Sequence, residues 1–139
     1  MNRKREGEIA QAGFVHRALQ NGYSVLEPVG DSDRFDCVLN KDRKFCRIQV
    51  RSTKHMTYKN VYSVPAHFKV RRGHGPVQQL PYTVKEIDLL AATIIPEDSW
   101  FLIPVEELKG RLSIQLYSKN HRKPGPFAKF KDAWHQLLE

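Results

Sequence analysis

Cysteine is scarce in this sequence: Cys37 and Cys46 are the only two in 139 residues, with no CxxC pair. That excludes a disulfide framework and a thiolate metal knuckle, and leaves a reduced, structural role for both thiols. Histidine is present six times (His16, His55, His67, His74, His121, His135), but the spacing matches no metal signature. Long apolar runs are missing as well. The longest, Leu89 to Ile95, is far too short to span a bilayer, so no membrane partner is expected. Basic residues at the start are interrupted by Glu6, Glu8 and Gln11 before any apolar stretch forms, so no secretory signal is read and a cytoplasmic location is expected. Repeats and low-complexity tracts are absent, so residues 1–139 are expected to form a single domain. Acidic residues are outnumbered: 15 Asp+Glu against 23 Lys+Arg give a formal charge of +8. Such an excess suits a polyanionic or acidic partner without choosing among nucleic acid, lipid and protein.

What remains reads as a mixed α/β chain, since 40% hydrophobic residues suffice for a core. Arg3 to Asn21 has helical periodicity, with Asn2 as a cap, Gly22 as a stop and an apolar stripe of Ile9, Ala12, Val15 and Leu19. Strands are expected at Tyr23 to Val29, Phe35 to Asn40 and Phe45 to Ser52, the last two joined by the polar turn Lys41 to Lys44. Val61 to Val70 suggests a further hairpin interrupted by Pro65, followed by a basic loop at Arg71 to Pro76. Strands are also expected within Ile87 to Ile95, Trp100 to Val105 and Ser113 to Tyr117. Phe127, Phe130, Trp134, Leu137 and Leu138 are spaced for a terminal amphipathic helix.

Two carboxylates stand out. Glu8 falls on the predicted apolar stripe of the first helix, where a charge needs a partner or a metal ion; at the first turn it could equally reach solvent and favour the helix dipole. Asp36 interrupts a strand, where Asp is disfavoured. If Lys41 to Lys44 form the turn, opposed residues sum to 85, which sets Asp36 across from Gln49. Arg51, two residues on, shares that face, while Cys46, Ile48 and Val50 point to the other. The same pattern is also that of a hairpin with one solvated face.

The segments Gly7-Glu8, Arg34-Phe35-Asp36 and Arg47-Ile48-Gln49-Val50-Arg51-Ser52 resemble the PD-(D/E)xK nuclease superfamily. The likeness is to its bacterial branch of small endonucleases related to group I intron homing enzymes, similar in core topology to archaeal Holliday-junction resolvases. It extends through Tyr82, Glu86 to Leu90, Trp100 to Val105 and Lys129 to Trp134. The resemblance implies a restriction-endonuclease-like α+β core: a mixed sheet of about five strands with an N-terminal and a C-terminal helix. It implies a metal-dependent DNA endonuclease using Mg²⁺ or Mn²⁺, with Asp36, Gln49, Glu8 and the backbone carbonyl of Val50 around the metal and Arg51 in the place of the motif lysine. Gln49 replaces the second acidic residue. Both replacements bear on activity, because an amide brings no charge to the metal and a guanidinium cannot act as a base. A domain with the nuclease fold that binds DNA without cutting it, and a basic protein-interaction module, are the alternative readings.

The expected DNA contacts are Arg3, Lys4 and Arg5 at the helix start, Lys54, His55 and Lys59 after the third strand, Arg71 and Arg72, and His121, Arg122 and Lys123. Double-stranded or branched DNA is the expected partner. Duplex pseudo-symmetry further suggests a homo-oligomer, a dimer or higher.

Overall fold

The computed structural model describes residues 1–137. Helix α1 (Arg3–Gln20) starts where the Asn2 side chain accepts the Arg5 N–H at 2.9 Å, and stops at Asn21 before Gly22, whose φ of 86° suits a residue without a Cβ. Its ends are those expected from the sequence, but its buried face is not. Ala10, Phe14 and Ala18 face inward, whereas Ile9 and Leu19 are more than half exposed and Ala12 is exposed. The physical reason is Phe14. This largest side chain of the helix packs against Trp100 and Trp134, with ring centroids 5.5 and 5.3 Å away, and the two alanines let the helix approach closely. Glu8 is therefore on no apolar stripe. Its side chain is 50% exposed and pairs with Arg5 at 3.3 Å.

Ten strands follow in chain order: β1 (Ser24–Leu26), β2 (Cys37–Lys41), β3 (Lys44–Thr53), β4 (Met56–Tyr58), β5 (Val61–Pro65), β6 (His67–Arg71), β7 (Val77–Pro81), β8 (Leu89–Ile94), β9 (Ser99–Pro104) and β10 (Ser113–Tyr117). Five of them form a mixed sheet in the order β1-β2-β3-β8-β9, with β3 and β8 parallel and the other pairs antiparallel. This matches the expected α+β class with its N-terminal helix and five-stranded mixed sheet. A smaller sheet, β10-β5-β4, and a two-stranded ribbon, β6-β7, complete the fold.

Alternation along the strands divides the apolar residues between two cores. Cys37, Leu39, Cys46, Ile48, Leu89 and Leu102 pack with Phe14 of α1 on one face. Leu90, Ala92, Phe101 and Ile103 pack on the other against Tyr62, Val64, Ile114 and Leu116 of the smaller sheet. Both cysteines are free, and burial pushes their thiols up to about 12. They are inert parts of the core.

The expected C-terminal helix is replaced by two short 3-10 turns, Ala128–Phe130 and Trp134–Gln136. Between them Lys131 bridges to Phe101 on the edge of β9, the Asp132 N–H donates to the Trp100 carbonyl at 2.7 Å, and Asp132 takes a φ of 51°. A helix cannot pass through such a pairing. The apolar spacing instead records a segment that gives Phe127 to one core and Trp134 to the other across the sheet edge. Leu138 lies outside the described residues. The interrupted hairpin also resolves differently: β5 and β6 flank Ala66 and belong to separate sheets, and β6 pairs with β7, a strand not expected from the sequence. Among the described residues no helix is long and apolar enough to cross a membrane.

Candidate active site

The β2-β3 hairpin turns through Asp42 and Arg43, both with positive φ (53° and 67°), the conformation that suits a two-residue connection. Cys37 then faces Ile48 and Asn40 faces Phe45, so opposed residues sum to 85 as expected. Asp36 continues this alignment one residue before β2. Its N–H donates to the Ile48 carbonyl at 2.7 Å and its Oδ2 accepts the Val50 N–H at 2.8 Å. The carboxylate is thereby folded onto β3. Burial pushes its pKa up, while the Val50 N–H and the charge of Arg51 pull the other way without cancelling the rise.

Gln49 and Arg51 pair in register with Leu90 and Ala92 on β8, so both emerge on the face of the sheet opposite α1. Gln49 is 7% exposed, with its amide nitrogen 3.5 Å from the Val50 carbonyl. The Arg51 Nη2 donates to the Tyr82 hydroxyl at 2.7 Å and to the His67 carbonyl at 3.1 Å, and the guanidinium is 5.9 Å from the Tyr82 ring centre. Its Nε is buried without an acceptor among the described residues.

These side chains open into one cleft of about 490 Å³, whose far wall comes from the β6-β7 ribbon and its flank: His67, Phe68, Lys69 and Tyr82. Arg34 closes one end, its guanidinium 4.8 Å above the Phe68 ring. The expected convergence of Asp36, Gln49 and Arg51 is therefore present, and Glu8 is not among the cleft's lining residues. Helix α1 does reach the site through Gln11, whose Nε2 lies 3.4 Å from the Asp36 carbonyl. Glu8 lies three residues earlier, one turn away from that contact.

Among the described residues no three His, Cys, Asp or Glu side chains gather as a metal centre. The oxygens offered at the site are those of the Asp36 carboxylate, one held by a backbone N–H, of the Gln49 side-chain amide, and of the Val50 carbonyl, which is not part of the cleft lining and has the Gln49 amide nitrogen 3.5 Å away. That donor set is all hard oxygen. It suits a small divalent cation that keeps several waters and takes its remaining ligands from a bound phosphate.

The expected DNA-contact residues are spread out. Arg3, Lys4 and Arg5 are exposed at the start of α1. Lys54 pairs with Glu6 at 2.5 Å, a contact that holds the Glu6 carboxyl below its ordinary value; His55 and Lys59 are exposed beside it. Arg71 and Arg72 are exposed where β6 turns toward β7. Arg122 and Lys123 are exposed in the loop after β10, where His121 stacks on Tyr117 with ring centres 4.1 Å apart. These three line a separate hollow of about 400 Å³. Five polar residues of the cleft were not among the expected site residues: Asp33, Arg34, His67, Lys69 and Tyr82. The alternation His67-x-Lys69-x-Arg71 was the available signal, but it needed β7 as a partner to become a strand.

The protein-family model described as PD-(D/E)XK endonuclease matches residues 1–137. Among solved structures, the chain is similar to a bacterial homing endonuclease, I-Ssp6803I, with a TM-score of 0.86 and 26% identity over 99% of this chain and 94% of that one. A second similar structure, that of MepB, has a TM-score of 0.49 and 15% identity, covering 93% of this chain and 95% of its own. No curated protein matches the chain at a significant level.

Proposed function

The chain belongs to the PD-(D/E)XK endonuclease family, and on that premise we propose that it is a metal-dependent DNA endonuclease whose active centre is the cleft at Asp36, Gln49 and Arg51. The observation that carries this reading is their shared face: three polar side chains from one hairpin open into one cleft, with the carboxylate pinned by the Val50 N–H. The similar homing endonuclease supports DNA as the substrate, double-stranded or branched. Asp36 would hold the cation through its carboxylate, Gln49 through its amide oxygen and Val50 through its carbonyl. When bound there, Mg²⁺ or Mn²⁺ supplies Lewis acidity toward a phosphate and a more nucleophilic water.

The chain's own residues do the rest. Arg51 is held at two points, so its guanidinium is oriented before substrate arrives. Preoriented donors of this kind stabilise the charge that develops on the phosphoryl oxygens. Arg51 cannot accept a proton from water, and Gln49 adds no negative charge to hold a cation. The reading is therefore of slow or substrate-restricted cleavage. Glu8, exposed and paired with Arg5, is left out of the cation's ligands. For cutting both strands of a duplex, a symmetric homo-oligomer is the arrangement proposed.

The test is incubation with plasmid, branched and single-stranded DNA in Mg²⁺ or Mn²⁺. The expected result is nicking or cleavage that disappears with chelator and with Asp36→Asn. Absence of cleavage on every substrate, with salt-sensitive DNA binding retained, would instead favour a DNA-binding domain. The observation on that side is that Arg51 is already occupied by Tyr82 and His67.

A further inference from the structure

Four cations surround the candidate site, and they are not equivalent. Arg51 is committed to the Tyr82 hydroxyl and the His67 carbonyl. Arg34 stacks over Phe68. Lys54, the nearest lysine in sequence to the motif position, lies outside the cleft lining and is paired with Glu6. Lys69 alone among these four lines the cleft with a side chain that makes no hydrogen bond, ion pair or ring contact among the described residues.

Its setting keeps it so. Lys69 is exposed on β6, and its cross-strand neighbour on β7 is Gln79, which is neutral. Residues 67 and 71 share its face of the ribbon; the His67 ring is turned toward the Leu112 carbonyl at 2.8 Å, and Arg71 is exposed. The carboxylates of Asp33 and Asp36 also line the cleft, yet neither forms an ion pair with Lys69. Lys69 thus lines the same open cleft as these carboxylates with its ammonium unpaired, which leaves it available to an anion. It is also the one group in the cleft with the compact, three-donor head that the motif strand lacks.

We propose that Lys69 is a catalytic residue of this cleft: its ammonium contacts the phosphate undergoing hydrolysis from the wall opposite Asp36, and so supplies from β6 the lysine function that Arg51 does not supply from β3. The proposal rests on the endonuclease reading above. It needs no proton transfer, because the ammonium donates hydrogen bonds to non-bridging phosphate oxygens and stays protonated throughout.

The experiment is a double-mutant cycle on single-turnover cleavage in Mg²⁺, with DNA affinity measured in parallel in Ca²⁺ by fluorescence anisotropy. Lys69→Ala is expected to slow cleavage by about a hundredfold or more while DNA affinity changes by less than about threefold. Arg51→Lys is expected to accelerate the Lys69→Ala protein much more than it accelerates the wild type, because a lysine on β3 replaces the lost ammonium. Cleavage that falls only as far as affinity does, or an Arg51→Lys effect that is the same in both backgrounds, would overturn the assignment and make Lys69 a backbone contact. If the wild-type protein cuts no DNA at all, the endonuclease reading itself fails, and this proposal fails with it.

Discussion

The Arg51 guanidinium donates to the Tyr82 hydroxyl at 2.7 Å, tying β3, the central strand of the five-stranded sheet, to the residue just after the β6-β7 ribbon. Tyr82 is 3% exposed, so no water replaces the hydroxyl readily. Tyr82→Phe is expected to lower stability by about 1–2 kcal/mol, read from the urea midpoint at unchanged m-value. Cleavage should slow as well, since Arg51 would keep only the His67 carbonyl as an anchor.

Asp36 is a carboxylate that the fold holds at a cost: burial raises its pKa, and a folded-state pKa above the unfolded value means lower stability once the group ionises. In chelator at neutral pH, Asp36→Asn should therefore be more stable than the wild type, because the amide oxygen can still accept the Val50 N–H. In Mg²⁺ the same variant should have lost cleavage. Glu8→Gln, at an exposed position, should alter both quantities far less. Thermal unfolding and plasmid nicking measured on the three proteins decide this.

Gln49→Glu puts a second carboxylate into the cleft at a position that is 7% exposed. Without metal the variant should lose on the order of 2 kcal/mol, since a second carboxylate is then buried beside Asp36. Its affinity for Mn²⁺ should rise by at least about tenfold, as added negative charge favours a cation. Calorimetric titration with Mn²⁺ and denaturant unfolding in chelator would show both changes, and equal Mn²⁺ affinity in the two proteins would remove Gln49 from the metal's surroundings.

Acid should weaken the fold through Asp88. Burial pushes this carboxyl up, but the Arg47 side chain and backbone N–H donors outweigh it and hold the group below its ordinary range. The unfolded chain then binds the proton more readily, so the contribution is fully present above about pH 4 and is lost as pH falls through the lowered folded value. Arg47→Met should cost about 1 kcal/mol near neutral pH, discounted because both side chains are partly exposed. Its stability should fall less steeply than that of the wild type between pH 4 and 2, as followed by circular dichroism.

The loop after β10 should contribute charge without chemistry. Arg122→Ala with Lys123→Ala is expected to weaken DNA binding similarly for all sequences, and to reduce the slope of log K against log salt by about 0.9 for each phosphate contact removed. Single-turnover cleavage at saturating DNA should stay unchanged. An unaltered salt slope would place this hollow outside the DNA footprint.

The shared face of Asp36, Gln49 and Arg51 was legible in the sequence because a two-residue turn and a period of two are enough to decide which side chains of a hairpin meet. Asp36, Gln49 and Arg51 needed no other information. The far wall was not legible: Lys69 and Tyr82 reach the cleft only through the pairing of β6 with β7, between segments broken by Pro65, Gly73 and Pro76. The orientation of α1 was misread because Ala10 and Ala18 carry little hydrophobic signal, and their burial follows from Phe14 meeting two tryptophans brought in from distant parts of the chain. The terminal 3-10 turns were hidden for a related reason: a segment feeding two cores can imitate one helical stripe.

The two left-handed residues Asp42 and Arg43 act as a gauge block for the chemistry beyond them. Lengthening that turn by one residue would slide β2 against β3 and carry Asp36 to the face that packs on α1, leaving Gln49 and Arg51 where they are. The longer connection between β6 and β7 has no such duty. Insertions should therefore accumulate freely around Gly73 in related or evolved sequences and be purged at 42 and 43, although both turns lie on the surface and neither touches the cleft.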